Sequence, residues 1–298
     1  MPKSTYSFFL GCAIPSMVLS YEISTRRIAK RFDIELVEMP EFSCCGLPID
    51  PISHDMMLVL AAQNLCLAEQ QGLNIMTMCP GCNGTLCEVN KMLKKDDKLR
   101  ETVNGYLNKV GMEFKGNVSV KHLVQVLTED VGYEEIKKSI QRPLKDLKVA
   151  AHYGCHILRP SEYVEIDDPE NPTILKKLIE VTGAKYLDYV DEGECCGATI
   201  IGSGRTQVDR KEDVSIQLAR DKLIHLKEAK VQALITICPS CYRVFDVNQP
   251  MMQRLFGEEY GIPVLHYPEL LALAMGINPN DLALTEHRVK LANLIEGL

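Results

Sequence analysis

No stretch of this 298-residue chain is apolar for long enough to cross a bilayer. Its best window, MMLVLAA at Met56 to Ala62, falls far short of the roughly 18 to 20 apolar residues that a spanning helix needs. A secretory leader is not expected either. The opening MPKSTYSFFLGC has one lysine and neither a longer apolar core nor a cleavage site. A basic surface is also lacking. The net charge is −7, lysines and arginines are scattered, and the densest cluster, KKDDK at Lys94 to Lys98, is broken by acids. That balance argues against nucleic acid as a partner. No G-x-G-x-x-G unit is present, so a Rossmann-type flavin or nicotinamide site is not expected in this chain. These absences predict a soluble, cytoplasmic protein without a membrane span.

What the chain does have is a globular balance, 46% apolar and 24% charged residues, and twelve cysteines. Its length suits two domains of ordinary size. Disulfide-dense scaffolds are short and secreted, and this chain is neither. In a reducing cytosol, spaced cysteines read as metal ligands or redox groups. Ten of them fall into two sets of five. The first is Cys12, a gap of 31, Cys44-Cys45-Gly46, a gap of 33, then Cys79-Pro80-Gly81-Cys82. The second is Cys155, a gap of 39, Cys195-Cys196-Gly197, a gap of 41, then Cys238-Pro239-Ser240-Cys241. The flanks agree: FFLGC matches AHYGC, and NIMTMCPGC matches ALITICPSC. VSVKHLVQVL (Val118 to Leu127) echoes IPVLHYPELL (Ile262 to Leu271), with His122 and His266 in register. A duplicated domain accounts for this order. It places a first domain at 1–130, a connector at 131–146 and a second domain at 147–298. The last closes on an amphipathic helix over TEHRVKLANLIEGL.

Short runs that are apolar throughout, YSFFL, IELVEM and NIMTM, read as buried parallel strands. KVAAHY, KYLDYV and ALITI take those places in the second half. Helical stretches lie between them. Ser53 caps one running to Gly72, Asn171-Pro172 opens another ending at Gly183, and Gln207 to Lys230 forms a long one. Alternation of strand and helix predicts an α/β fold in each half, a small parallel sheet flanked by helices. The cysteines then sit just past the C-terminal ends of strands, where open α/β sheets carry their sites.

A tetrahedral zinc site takes four ligands, and a cubane [4Fe–4S] cluster takes four thiolates. Each half offers five. The fifth thiol is a bystander, a redox group, or a ligand of a cluster with more reach than a cubane; iron–sulfur, zinc and thiol–disulfide chemistry all stay open on the residues. Cys66, mid-helix in AAQNLCLAEQ, and Cys87, turned about 140° from Cys82 on a helix, read as buried structural thiols. Gly46 and Gly197 read as turns needing positive φ, or as places where backbone comes close to a bulky cluster.

The two blocks resemble the so-called CCG domains. YSFFLGCAIP, the total length and PVLHYPELLALAMG are similar to the B subunits of heterodisulfide reductase from methanogenic archaea, over nearly the whole chain. That resemblance implies two pseudo-symmetric CCG domains, each holding one non-cubane [4Fe–4S] cluster on five cysteines. The implied ligands are Cys12, Cys44, Cys45, Cys79 and Cys82 for one cluster, and Cys155, Cys195, Cys196, Cys238 and Cys241 for the other. The implied activity is reduction of the mixed disulfide of coenzyme M and coenzyme B to the two thiols, with the disulfide cleaved between the clusters. The implied partners are the reductase's ferredoxin-like C subunit and its flavin-bearing A subunit, fed by a hydrogenase or formate dehydrogenase. CCG-type components of thiol-driven fumarate reductase, lactate oxidation and sulfur metabolism are the rivals.

Cleaving a disulfide to two thiols takes two electrons and two protons. His156, next to Cys155, is the preferred proton donor; the first half has Ala13 at that position. His152 reads equally well as a structural histidine. Arg159, Arg205 in IGSGRT and Arg243 are placed to meet the anionic ends of such a substrate.

Overall fold

The computed structural model describes residues 4–198, 211–291 and 294. The chain carries two four-stranded parallel sheets with one strand order written twice, β2-β1-β3-β4 and β6-β5-β7-β8. The first sheet is β1 (Ser4–Phe9), β2 (Ile34–Glu38), β3 (Asn74–Thr77) and β4 (Val120–His122). The second is β5 (Lys148–His152), β6 (Lys185–Tyr186), β7 (Ala233–Thr236) and β8 (Val264–His266). The expected α/β architecture is therefore present in both halves. The strands β4 and β8 go beyond the expected set. They are three residues long and too short to form an apolar run, and pairing decides them: Thr77 lies opposite His122, and Thr236 opposite His266.

The helices begin and end where their caps dictate. Ser53 accepts a hydrogen bond from Met56 N, and Gly72 closes α1 (His54–Gln71) in the left-handed region, as expected from the sequence. Pro80 starts α2 (Pro80–Lys95), its ring supplying the first helical φ, with Cys79 extended just before it. The helix expected from Asn171 begins later, at α3 (Ile174–Val181). Asp213 caps α4 (Val214–Glu228) by accepting from Ser215 N at 2.9 Å; the expected start at Gln207 lies outside the described residues. Pro239 opens the short α5 (Pro239–Tyr242), and α6 (Tyr267–Ala274) follows β8 directly.

By contacts the chain forms two compact units that do not coincide with the two halves of the sequence. Unit 1 is Met1–Ser16, Ala29–Val131 and His156–Pro169; unit 2 is Met17–Ile28, Gly132–Cys155 and Glu170–Leu298. The stretch just after the first cysteine of each half thus belongs to the other half's unit. Within unit 2, Tyr21 is fully buried, donates its hydroxyl to Ile237 O at 3.1 Å and stacks on His266 with centroids 4.0 Å apart. Within unit 1, Lys91 donates to Glu162 O at 3.1 Å and pairs with Glu165.

The core of unit 1 packs Phe9, Leu65, Ile75, Leu86 and Val89 from β1, α1, β3 and α2. The segment joining the halves carries its own helix, Tyr133–Ser139, and is tied into unit 2. Gln141 N and Arg142 N donate to Ala274 O, and Leu144 N donates to Thr182 O. The terminal helix expected over 285–298 is not formed between His287 and Leu291. Arg288 N and Val289 N are instead drawn to the buried Asp246 carboxylate at 2.8 and 3.2 Å.

Candidate functional site

Each set of five cysteines gathers past the C-terminal ends of three neighbouring strands. In unit 1, Cys12 follows β1, Cys44 and Cys45 follow β2, and Cys79 and Cys82 flank the start of α2 after β3. In unit 2, Cys155 follows β5, Cys195 and Cys196 follow β6, and Cys238 and Cys241 flank the start of α5 after β7. None of the twelve thiols is paired in a disulfide. The C-P-x-C spacing is read directly by the helix: the first cysteine is the N-cap and the second lies one turn in. For α2 this puts both sulfurs at the positive end of a long helix.

The thiols interact with one another. Cys45 is pulled down to about 3 by hydrogen bonds from Cys44 and then Cys82, and those two are pushed up in return. In unit 2, Cys195 is pulled down to about 2 by hydrogen bonds from Cys155 and Cys196, which are pushed up, Cys196 to about 12. Cys238 is lowered by its bond with Cys241, and Cys241 is raised first by its bond with Cys196, whose Sγ lies 3.2 Å away, and then by Cys238. Each set therefore has a sulfur ready to ionise, while its neighbours are restrained by the negative charge that results. Only a multivalent cationic centre would let all five ionise together. Five converging soft sulfur donors suit a sulfide-bridged iron cluster better than one tetrahedral zinc. Cys66 and Cys87 stand apart from this. Burial pushes both thiols up to about 12, and Cys87 Sγ faces Val120 O.

Two pairs of glycines shape the sites. Gly46 and Gly197 have φ of 97° and 82°. A Cβ there would lie 2.9 Å from Met57 O or 2.7 Å from Ser215 O, so the close approach is to the next helix. The expected positive φ is present at both, and it lets the cysteine pair dock on α1 and α4. The glycines against the sulfurs are Gly11 and Gly154, at φ 67° and 80°. Their Cβ positions fall 2.9 Å from Cys82 Sγ and 3.2 Å from Cys238 Cβ. The signal that finds them is the shared G-C of FFLGC and AHYGC.

Two turns along each helix from those docking contacts, the halves diverge. Asn64 on α1 accepts from Ser43 N at 2.8 Å and donates to Cys44 O at 3.1 Å, holding the cysteine pair with a neutral amide. Lys222 on α4 is buried and donates to Asp191 O, its charge coupled to Cys196 and Cys241. Phe9, at the end of β1, packs on Phe42 with centroids 5.0 Å apart. His152, at the same place on β5, is buried, and its ring nitrogen lies in one group with Cys196 and Cys241 Sγ, all within 4.8 Å. Burial pushes this imidazole down to about 3, and Lys222 adds to the effect.

His156 is half-buried beside Cys155, and its carbonyl lies 3.2 Å from the Cβ position of Gly84 on α2. Arg159 is exposed and donates to Pro169 O at 2.7 Å; Arg243 is exposed. Arg205 lies outside the described residues. A cavity of about 630 Å³ opens beside Cys12 and Cys44, walled by Phe8, Leu10, Pro15, Met39, Pro40 and Phe42. Glu38 is the charged side chain in its wall, and neither Arg159 nor Arg243 lines it.

A parallel α/β unit, repeated and bearing five cysteines each time at the strand ends, defines a duplicated cysteine-rich domain protein. The cysteine-rich CCG domain model matches residues 6–87 and 149–246, and the chain belongs to that family. It is 37% identical to the B subunit of the ferredoxin/F420H2-dependent CoB-CoM heterodisulfide reductase of Methanosarcina acetivorans, over 95% of this chain and 93% of that one. It is 30% identical to the 8-methylmenaquinol:fumarate reductase membrane anchor subunit of Wolinella succinogenes, over 98% of this chain and 99% of that one. Among solved structures, a hypothetical protein from Helicobacter pylori shares the fold with a TM-score of 0.74 at 17% identity. That match takes in 97% of this chain, which spans about half the length (52%) of that protein. Among the described residues, no helix is long and apolar enough to cross a membrane.

Proposed function

We propose that this chain is the iron–sulfur B subunit of a heterodisulfide reductase, with one non-cubane [4Fe–4S] cluster on each five-cysteine set. Cys12, Cys44, Cys45, Cys79 and Cys82 hold the first; Cys155, Cys195, Cys196, Cys238 and Cys241 hold the second. The observation that carries the reading is the fivefold set in duplicate, at equivalent strand ends of two sheets. When bound, the clusters supply single electrons, and two are needed to reduce the disulfide of coenzyme M and coenzyme B.

The chain's own residues do the rest. The cysteine thiols surrender their protons on loading, which the crowding at Cys45 and Cys195 already anticipates. His156 delivers protons to the departing thiolates. The apolar cavity beside Cys12 admits the carbon arm of a thiol substrate. Arg159, Arg205 and Arg243 are the proposed partners of a substrate's anionic ends. Electrons arrive through a ferredoxin-like C subunit and a flavin-bearing A subunit, supplied by a hydrogenase or formate dehydrogenase. The duplicated sequence units proposed for this reading are 1–130 and 147–298, joined by 131–146, with Met17–Ile28 and His156–Pro169 exchanged between the compact units.

Similarity to the Wolinella protein favours one rival, a CCG component passing electrons to fumarate reduction. Anaerobic turnover of the purified complex separates the two. Consumption of the mixed coenzyme disulfide with a reduced donor is expected, whereas turnover with fumarate and none with the disulfide would transfer the chain to the rival.

A further inference from the structure

His152 ends a central strand of the second sheet with its side chain 2% exposed. The ring meets Phe245 edge to face, with centroids 5.1 Å apart and planes at 78°. It also carries a nitrogen within 4.8 Å of both Cys196 Sγ and Cys241 Sγ. Among the described residues, neither Nδ1 nor Nε2 has a hydrogen-bond partner. Leaving a buried polar group unsatisfied costs about 1–3 kcal/mol, and folds rarely sustain that without a partner from outside the chain. An imidazole in either protonation state has at least one N–H to give. The acceptors facing it are sulfur.

Resting on the reading of the second cysteine set as an iron–sulfur centre, we propose that His152 donates a ring N–H to a sulfur of that centre and holds its reduction potential above that of the first. Hydrogen bonds to cluster sulfurs stabilise the added electron and raise the potential. At the strand position that matches His152 the first half offers no donor. Phe9 occupies the matching position, buried and packed on Phe42. Nearby charge acts in the same sense. Lys222, buried and facing the Asp191 carboxylate at 3.9 Å, is also coupled to Cys196 and Cys241, where the matching Asn64 commits its amide to Cys44 O and Leu60 O. His152 is therefore a positioning residue, and its effect is asymmetry: the second centre is the better electron acceptor of the two.

An anaerobic redox titration of the full chain, followed by electron paramagnetic resonance, tests this in the wild type and in His152→Phe, which imports the first half's residue. Iron and sulfide are expected to stay at wild-type levels while the second centre shifts to lower potential, and the first centre does not move. An unchanged second potential in an iron-replete variant overturns the inference. The unaltered protein labelled with ¹⁵N-histidine gives a second readout that does not depend on the variant loading its clusters. A weak nitrogen coupling to the reduced second centre is expected; no coupling, or one of the size of a direct ligand, overturns the role. Wild-type protein without iron would sink the cluster reading itself, an outcome distinct from either of these.

Discussion

The two cysteine sets occupy the same strand ends of two sheets with the same strand order, yet their surroundings differ in a consistent direction. Phe9, Ala13, Asn64 and Gln125 in the first half stand where His152, His156, Lys222 and Glu269 stand in the second. The clearest case is the turn after the fourth strand. In the first half, His122 N donates to Gln125 Oε1 at 3.0 Å, and His122 Nδ1 accepts from Val124 N. In the second, His266 N donates to Glu269 Oε2 at 2.7 Å, and the other carboxylate oxygen faces His266 Nδ1 at 3.6 Å and His287 Nε2 at 3.4 Å. The backbone solution is the same, while the neutral cap has become a buried ion pair. Both halves share the scaffold that gathers thiols; at these four matched positions the second half carries titratable groups where the first does not. The second half is therefore where proton and electron transfer are expected to be controlled.

The largest test removes a centre outright. Cys195→Ser or Cys196→Ser should lose roughly half of the iron and all turnover, and Cys45→Ser the other half. Cys66→Ser should keep its iron, because that thiol is a buried packing group on α1. Equal iron loss in the Cys66 variant would erase the distinction between the sets and the bystanders.

His156→Gln comes next, with a fall in turnover of about 100-fold at full iron content, the usual worth of a positioned proton donor. Unchanged turnover takes His156 out of the mechanism.

Glu269→Gln gives the second half the first half's cap and should cost about 3–5 kcal/mol near pH 6. Burial alone would raise the Glu269 carboxyl, but His287 and His266 hold it below the ordinary range. Burial alone would lower His287, but Glu269 raises it. The carboxylate's share of stability is thus present above its unfolded value and lost as pH falls, while the imidazolium's share is present below its unfolded value and lost as pH rises through the folded one. The pair is strongest between about pH 4.5 and 6.5. Denaturant unfolding across that range should show a ridge in the wild type that is flattened in the variant; parallel curves would contradict the pairing.

Smallest is the glycine pair. Gly11→Ala and Gly154→Ala should each cost about 1–3 kcal/mol through positive φ and contact with the C-P-x-C cysteines. Gly11 should be the worse, since its Cβ position falls closer, 2.9 Å against 3.2 Å. Urea midpoints of the two variants decide the order.

The thiol sets are legible in the sequence because their gaps track strand and helix lengths, and C-P-x-C needs only local geometry. Six of the eight strands among the described residues follow from apolar runs, and α1 from Ser53 and Gly72. What the sequence hides is tertiary. Three-residue strands at a sheet edge carry too little pattern. The exchange of Met17–Ile28 and His156–Pro169 between units leaves no trace in composition. The segment after His287 has amphipathic spacing, but its amides are claimed by Asp246. His152 is ambiguous in the sequence because Phe9 and His152 both satisfy a buried aromatic position. Only the sulfurs facing the ring, and its lack of other partners among the described residues, separate them.

The central claim is that both five-cysteine sets hold iron and sulfide. Anaerobic purification followed by metal, acid-labile sulfide and electron paramagnetic resonance measurements on the unaltered chain tests it most directly. Roughly eight irons per chain, matching sulfide and two distinguishable paramagnetic centres are expected on reduction. One or two zincs with no iron and no sulfide would contradict it.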